Sequence, residues 1–509
     1  MLARAQTFTI DGLLTRQVSV EVDVRAGLPA FVIVGLADAA VREARERIQA
    51  AIRNSGYEFP ARRITANLAP ADVPKAGPGL DLALACAVLA ASEQLPTRSL
   101  ERVVLIGELG LDGAVRPTRG TLAMAHATRA AGIPALALAG AGALEARLIE
   151  GLDVAVVESL RSAVRFLTGG SGDPLPRQRR REEGARPEPR APDLAEVRGQ
   201  RHAVQALLLA AAGGHNLLFS GAPGTGKTML ARRLPSILPP LSEREAVEVT
   251  RIHSLLGQEV RRLRRRRPFR APHHTVSAAG LLGGARHGWV GEVVLAHNGV
   301  LFLDELSEFS RPALEALRQP LEEGRVAIAR AAHSTVYPAH FMLLAATNPC
   351  PCGYAGEGDL CRCGESELAR YRRRLSGPLL DRIDLMVNLY REGPVDGDRE
   401  APAMSSRSAA ERVLRARERQ ARRLRREGVL LNAHMDARSL LLHVRLDPKA
   451  EALLGRARRA GWLSSRGEQR ALRVARTIAD LDERDAVGAL EVGAALALRP
   501  SLAGEGRAA

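Results

Sequence analysis

The stretch that most constrains this chain is Gly221-Ala222-Pro223-Gly224-Thr225-Gly226-Lys227-Thr228, which follows the largely apolar run Asn216 to Ser220 and precedes Met229-Leu230-Ala231-Arg232-Arg233-Leu234. A strand, a GxxxxGK[ST] loop and a helix start form an arrangement that wraps phosphates. Three glycines let successive backbone N–H groups turn toward one anion, and the following helix N-terminus adds partial positive charge. Lys227 then reaches the β- and γ-phosphates of a nucleoside triphosphate, and Thr228 ligates magnesium. The strand–loop–helix context favours this over a plain glycine turn. Downstream, Gly299-Val300-Leu301-Phe302-Leu303-Asp304-Glu305 is an apolar strand ending in two carboxylates. Asp304 is expected to hold the magnesium shell and Glu305 to polarise the attacking water, so the chain reads as a triphosphate hydrolase.

At 509 residues the chain exceeds one core and should divide into about three domains. Aromatic residues are only 3 %, so cores must come mostly from Ala, Leu and Val. The net charge of +16 favours polyanions, nucleic acid first and acidic membrane second, with a solvated Arg-rich surface as the alternative. No apolar run approaches bilayer length and the N-terminus has no h-region, so a cytoplasmic protein is expected. Four of the five cysteines fall between Cys350 and Cys363, which is not a secreted disulfide framework.

Residues 1–168 read as an α+β domain. Val18, Val20, Val22 and Val24 alternate as in a half-buried strand, and 30–34 is a second strand. Val41, Ala44, Ile48, Ala51 and Ile52 share a helical face. A helix over 82–91, a hairpin over 103–115, a helix over 122–131 and strands over 134–139 and 154–157 follow. Two stretches resemble the proteolytic domain of Lon, Pro74-Lys75-Ala76-Gly77-Pro78-Gly79 and Gly107-Glu108 through Gly120-Thr121-Leu122. Gly79 and Leu122 stand where that resemblance places the nucleophilic serine and the catalytic lysine, so it implies a Lon-like domain without the protease. Residues 169–193 form a basic, proline-rich linker, with Arg177, Arg179, Arg180 and Arg181 close together.

Residues 194–395 are expected to be an α/β P-loop core. The strand Phe341 to Thr347 ends at Asn348, and Leu379-Leu380-Asp381-Arg382-Ile383-Asp384 follows. In the AAA+ class, which these positions resemble, the asparagine (sensor 1) helps Glu305 place water and the arginine is the finger serving a neighbouring subunit, so Arg382 implies a ring. Adjacent His273 and His274 would point apart on a strand, which favours packing over a metal. Arg286 and His287 read as one hairpin tip, and 325–336, with Arg330 and His333, as a second; both could grip a polyanion.

Phe269-Arg270-Ala271-Pro272-His273-His274, Leu295-Ala296-His297-Asn298 leading into the acidic strand, Asn348-Pro349-Cys350-Pro351-Cys352-Gly353 and Leu472-Arg473-Val474-Ala475-Arg476-Thr477-Ile478-Ala479-Asp480 are similar to the magnesium-chelatase-like AAA+ family known as YifB or ComM, over nearly the full chain. Val290 departs from the family's usual proline. The resemblance implies a hexamer that uses ATP and Mg2+, and for the ComM branch a helicase that migrates DNA branches during recombination or uptake of transforming DNA, with recombination proteins as partners. Its alternatives are a magnesium-chelatase subunit and an ATP-driven assembly scaffold. Cys350, Cys352, Cys361 and Cys363 suit tetrahedral zinc in a structural knuckle, with reduced thiols the alternative. Residues 396–509 read as an all-α lid. By similarity to related lids, Arg466 is the first choice for sensor 2 and Arg473 the second, a surface charge being the alternative for either. The arginine runs 261–267 and 415–426 read as solvated basic surface with some phosphate contact.

Overall fold

The computed structural model describes the chain except residues 12–13, 37, 74, 76, 176–191, 257, 259, 285–289, 330–333, 375–376, 392–403 and 500–509. The described residues form two compact units. One comprises 1–183 with 243–264 and 329–337; the other comprises 184–242, 265–328 and 338–509.

In the first unit β1 (Leu2–Asp11) and β2 (Leu14–Arg25) pair antiparallel along their length, Leu2 opposite Asp23 and Asp11 opposite Leu14. Val18, Val20, Val22 and Val24 are buried, as their alternation requires. With β3 (Ala30–Val34), β4 (Arg63–Ala69), β5 (Val103–Ile106), β8 (Ala135–Leu138) and β9 (Asp153–Val156) they make a seven-stranded mixed sheet of order β3-β4-β2-β1-β5-β8-β9. The expected hairpin over 103–115 divides differently. The short strands β6 (Glu108–Leu109) and β7 (Val115–Arg116) pair with each other, whereas β5 joins the main sheet between β1 and β8. Val103 and Leu105 enter one core and Val104 and Ile106 another. A strand buried on both faces has no polar alternation to distinguish it from a hairpin arm. The helix Asp81–Ala91 is buried at every residue, which explains its apolar character all round.

The second unit is built on a parallel sheet of β10 (Leu217–Gly221), β11 (Phe269–Arg270), β12 (Gly299–Leu303), β15 (Phe341–Thr347) and β16 (Leu385–Leu389), in the order β11-β12-β15-β10-β16. Outside both main sheets, strands β13 (Arg325–Ala329) and β14 (Ser334–Pro338) pair with each other as the expected second hairpin. Its Arg330 and His333 lie outside the described residues, as do Arg286, His287 and the linker arginines. From Ser406 on, every described regular element is helical, and the helices Ser406–Arg423, Ser465–Leu481 and Ala489–Ala497 share one apolar core with Arg201–Gly213 and the sheet.

Part of the basic sequence is internal wiring. Arg417 donates to Ala211 O (2.6 and 2.9 Å), and Arg267 donates to Pro239 O (2.8 Å) and Asn298 O (2.9 Å). Arg423 and Arg476 converge on Asp480, whose side chain is fully buried, with N–O distances of 2.6 and 3.2 Å. Asn432 Nδ2 also donates to Asp480 (2.9 Å). These arginines are therefore unavailable to phosphate, because a guanidinium drawn from water must be satisfied by fixed acceptors.

Candidate active site

Strand β10 brings the chain to the C-terminal edge of the parallel sheet, and the helix Lys227–Ala231 carries it away. Between them Gly224 and Gly226 take φ of +81° and +88°. That left-handed conformation costs a residue with a Cβ about 1–2 kcal/mol. Gly221 is required for another reason: a Cβ there would stand 2.6 Å from Leu389 O and 2.9 Å from Thr225 Oγ1.

The structure brings together the residues expected to handle phosphate and metal. Lys227 Nζ donates to Gly221 O (2.6 Å), Ala222 O (2.9 Å) and Asn348 Oδ1 (3.1 Å), which joins the glycine loop to the end of β15. Burial lowers the Lys227 pKa, while the charges of Asp304 and Glu305 oppose that shift. Thr228 Oγ1 donates to Asp304 Oδ2 at 2.7 Å. A hydroxyl and a carboxylate meeting beside a phosphate cradle are the oxygen donors that magnesium takes, alongside water and phosphate oxygens. Thr228 and Asp304 would hold a Mg2+ there, which would supply positive charge to balance that of the phosphates.

Glu305 leaves the end of β12 with φ of +52°, a strained value for a glutamate, and its N–H donates to Asp304 Oδ1 (3.0 Å). Its carboxylate is 57 % exposed and lies 3.3 Å from His274 Nδ1. The histidine pair does not lie on a strand, yet it packs and hydrogen-bonds as expected, His273 Nδ1 standing 3.0 Å from Thr275 Oγ1. Residues 271–275 form an irregular turn, the His273 and His274 rings lie with centroids 4.1 Å apart, and His274 faces the Glu305 carboxylate. Asn348 has a support with no local signal in the chain: Tyr371, 5 % exposed, donates from Oη to Asn348 O (3.1 Å) and bonds Ser307 Oγ (2.8 Å).

Cys350, Cys352, Cys361 and Cys363 bring their sulfurs within 4.8 Å of one another. The separations of 3.3, 3.7 and 3.9 Å among Cys350, Cys352 and Cys361 fit the roughly 3.8 Å edge of a tetrahedron with zinc–sulfur bonds near 2.3 Å. Backbone N–H groups of Tyr354 and Arg362, then the Cys350 thiol, hold the Cys352 thiol down at about 6, whereas burial and hydrogen bonds with Cys352 and Cys350 push the Cys361 and Cys363 thiols up. This cluster could hold a metal. It also abuts the phosphate loop, because a Cβ on Gly353 would stand 2.7 Å from Pro223 Cδ.

Arg382 is not brought to this site. Asn216, the residue before β10, donates from Nδ2 to Arg382 O (2.8 Å), whereas the glycine loop follows Gly221 at the other end of that strand. Arg382 itself is ion-paired to Glu322. Nor do Arg466 and Arg473 meet the loop through any bond among the described residues. Arg466 is exposed and its charge is felt at Arg382, while burial lowers the Arg473 pKa and the nearest charges on it are Asp384, Arg470 and Asp436.

A parallel sheet of this order, a glycine cradle and an acidic strand end define a P-loop arrangement of the AAA+ type, and the comparisons place it more narrowly. The family described as magnesium chelatase, subunit ChlI, matches residues 193–395; the family described as subunit ChlI of Mg-chelatase matches 20–141, and the ChlI C-terminal family matches 403–499. A protein of Mycobacterium tuberculosis is 44 % identical, covering 98 % of each chain. YifB of Escherichia coli is 43 % identical over 94 % of this chain and 92 % of its own. The competence protein ComM of Haemophilus influenzae is 41 % identical over 92 % of each. The chain therefore belongs to the YifB/ComM, magnesium-chelatase-like AAA+ family. A magnesium-chelatase 67 kDa subunit of Heliobacterium mobile is more distant, 28 % identical over 32 % of this chain. Among the described residues no helix is long and apolar enough to cross a membrane.

Proposed function

We propose that this protein is an ATP-hydrolysing hexameric ring motor that acts on branched or single-stranded DNA, migrating branches during recombination or the uptake of transforming DNA. The observation that carries this reading is the separation of its catalytic groups. Lys227, Thr228, Asp304, Glu305 and Asn348 gather at the C-terminal edge of the sheet. Arg382 sits beyond the other end of β10, whose five residues span about 16 Å. The arginine cannot reach its own phosphates, so it serves the site of the next protomer.

Within that scheme Lys227 and the loop N–H groups bind the β- and γ-phosphates, and Thr228 and Asp304 hold the magnesium shell. Glu305 accepts a proton from water that Asn348 orients. The neighbour's Arg382 stabilises charge on the transferring phosphoryl group. Arg466 or Arg473 serves as sensor 2 on the lid, and the four thiols hold a structural zinc. The net charge of +16 and the competence role in the relative's name support DNA as the polymer worked on. Gly79 lies in a single turn, Pro78–Leu80, and Leu122 is fully buried. With no nucleophile or amine at those positions, casein digestion should be absent.

The test measures ATPase activity with and without four-way DNA on a sample whose mass in ATP is known. Stimulated turnover by a hexamer, and DNA affinity that falls steeply with salt, support the proposal. Turnover that ignores all DNA sinks the motor on DNA; stimulated turnover without strand displacement leaves the assembly scaffold.

A further inference from the structure

The segment 379–384 that carries Arg382 is held from two sides of its own unit. On one side Glu322, on the helix Arg318–Glu323, pairs with the Arg382 guanidinium, whose side chain is 13 % exposed. On the other, Arg470 of the helix Ser465–Leu481 donates from Nη1 to Ile383 O (3.1 Å) and Leu380 O (3.4 Å), and its Nη2 lies 3.5 Å from Asp381 Oδ1. Arg470 is itself only 12 % exposed. One planar guanidinium thus grips the backbone on both flanks of Arg382 and the carboxylate beside it. An ammonium has three donors at one point and could meet the two carbonyls that Nη1 meets, but it lacks the second nitrogen of the fork that faces Asp381.

The helix that bears Arg470 is anchored on both sides of that residue. Toward its C-terminal end Thr477 Oγ1 bonds the buried His215 Nε2 (2.8 Å), and Asp480 is locked by Arg423, Arg476 and Asn432. Toward its N-terminal end Ser465 and Arg466 are exposed, but Glu468 takes a two-bond ion pair from Arg458 of the helix Pro448–Arg459. Arg470 stands seven residues before Thr477, an arm of about 10 Å at 1.5 Å per residue. A displacement of this helix together with the helices it is tied to therefore moves Arg470, and with it the backbone of the finger.

We propose that Arg470 is a positioning residue that couples this C-terminal helix to Arg382, so that movement of the helical region in one protomer sets how the finger is presented to the next. The inference rests on the reading of Arg382 as a finger acting across protomers. It adds the part that lets one site's state reach its neighbour.

Mixed rings of the full chain test it. A Lys227→Ala chain cannot hydrolyse ATP but still offers its finger. An Arg382→Ala chain has a complete pocket and no finger, so ATPase recovered on mixing arises only where the first chain's finger meets the second chain's pocket. Arg470→Ala in the finger donor should lower the recovered turnover at least tenfold, whereas the same change in the acceptor should leave it within twofold. Arg470→Lys in the donor should fall between. Should Arg470→Ala fail to assemble, as ring mass would show, Arg470→Lys carries the donor and acceptor comparison. A merely structural role would weaken both positions alike, and that result, or no effect in the donor, overturns the coupling alone. If the control mixture recovers nothing, the finger assignment itself falls, and the coupling falls with it.

Discussion

Replacing Arg382 with alanine should separate binding from turnover. The Arg382 carbonyl is tied to Asn216, about 16 Å along β10 from the glycine loop. In water a unit charge pair at that distance interacts by about 0.3 kcal/mol. Two Debye lengths of about 8 Å at physiological salt reduce it to a few hundredths. Summed over the charges of a nucleoside triphosphate, the change stays well below the roughly 0.4 kcal/mol that doubles a dissociation constant. ATP affinity of the variant, measured by fluorescent-nucleotide titration, should therefore match the parent within twofold. At the neighbour's site the loss is far larger. An arginine contributed across a subunit boundary accounts for about 10³–10⁵ in turnover, or about 4–7 kcal/mol of barrier. Single-turnover hydrolysis by the assembled variant should drop by at least 10³. Turnover near the parent's, or a tenfold loss of affinity, would refute placing the finger outside its own pocket.

His274→Ala removes the half-exposed partner of Glu305 and should raise DNA-independent turnover by up to about fivefold, since such a pair contributes about 1 kcal/mol or less; unchanged steady-state turnover would argue that the contact restrains nothing. Purified protein should carry one zinc per chain by elemental analysis, and Cys352→Ser should lose it. Because the knuckle packs on Pro223, chelation should also weaken ATP binding. Asp480→Ala would leave the Arg423 and Arg476 guanidiniums without their shared carboxylate in a buried setting, a loss of about 3–5 kcal/mol. Hydrogen exchange should accelerate in 406–423 and 465–481, and Asp480→Asn should show a smaller effect.

Much of the pocket was legible because its parts are local. The apolar runs of β10, β12 and β15 end in Gly221, Asp304 and Asn348, and a strand buried on both faces reads as an uninterrupted apolar stretch. What failed to read was pairing at long range. The chain offers no local mark that Val103–Ile106 joins β1 and β8, or that His274 turns toward Glu305. Tyr371 behind Asn348 was invisible for the same reason, since 23 residues separate two groups that share a hydrogen bond. The arginine runs were legible only in part, since Arg415, Arg422, Arg425 and Arg426 are exposed as a solvated face requires. A run of like charges reads as solvated surface, yet Arg417 and Arg423 are consumed by carbonyls and a buried carboxylate.

By itself the amino-acid order determined the glycine loop, the acidic strand end and the two close cysteine pairs, because in each the groups lie within a few residues and the backbone alone sets their spacing. Only the tertiary structure decided that Lys227 meets Asn348, that Thr228 meets Asp304 and that Arg382 stands at the far end of the same sheet. Those relations depend on strand order, and strand order is settled by which apolar faces can be buried together across the whole unit, a condition that no short window of sequence contains.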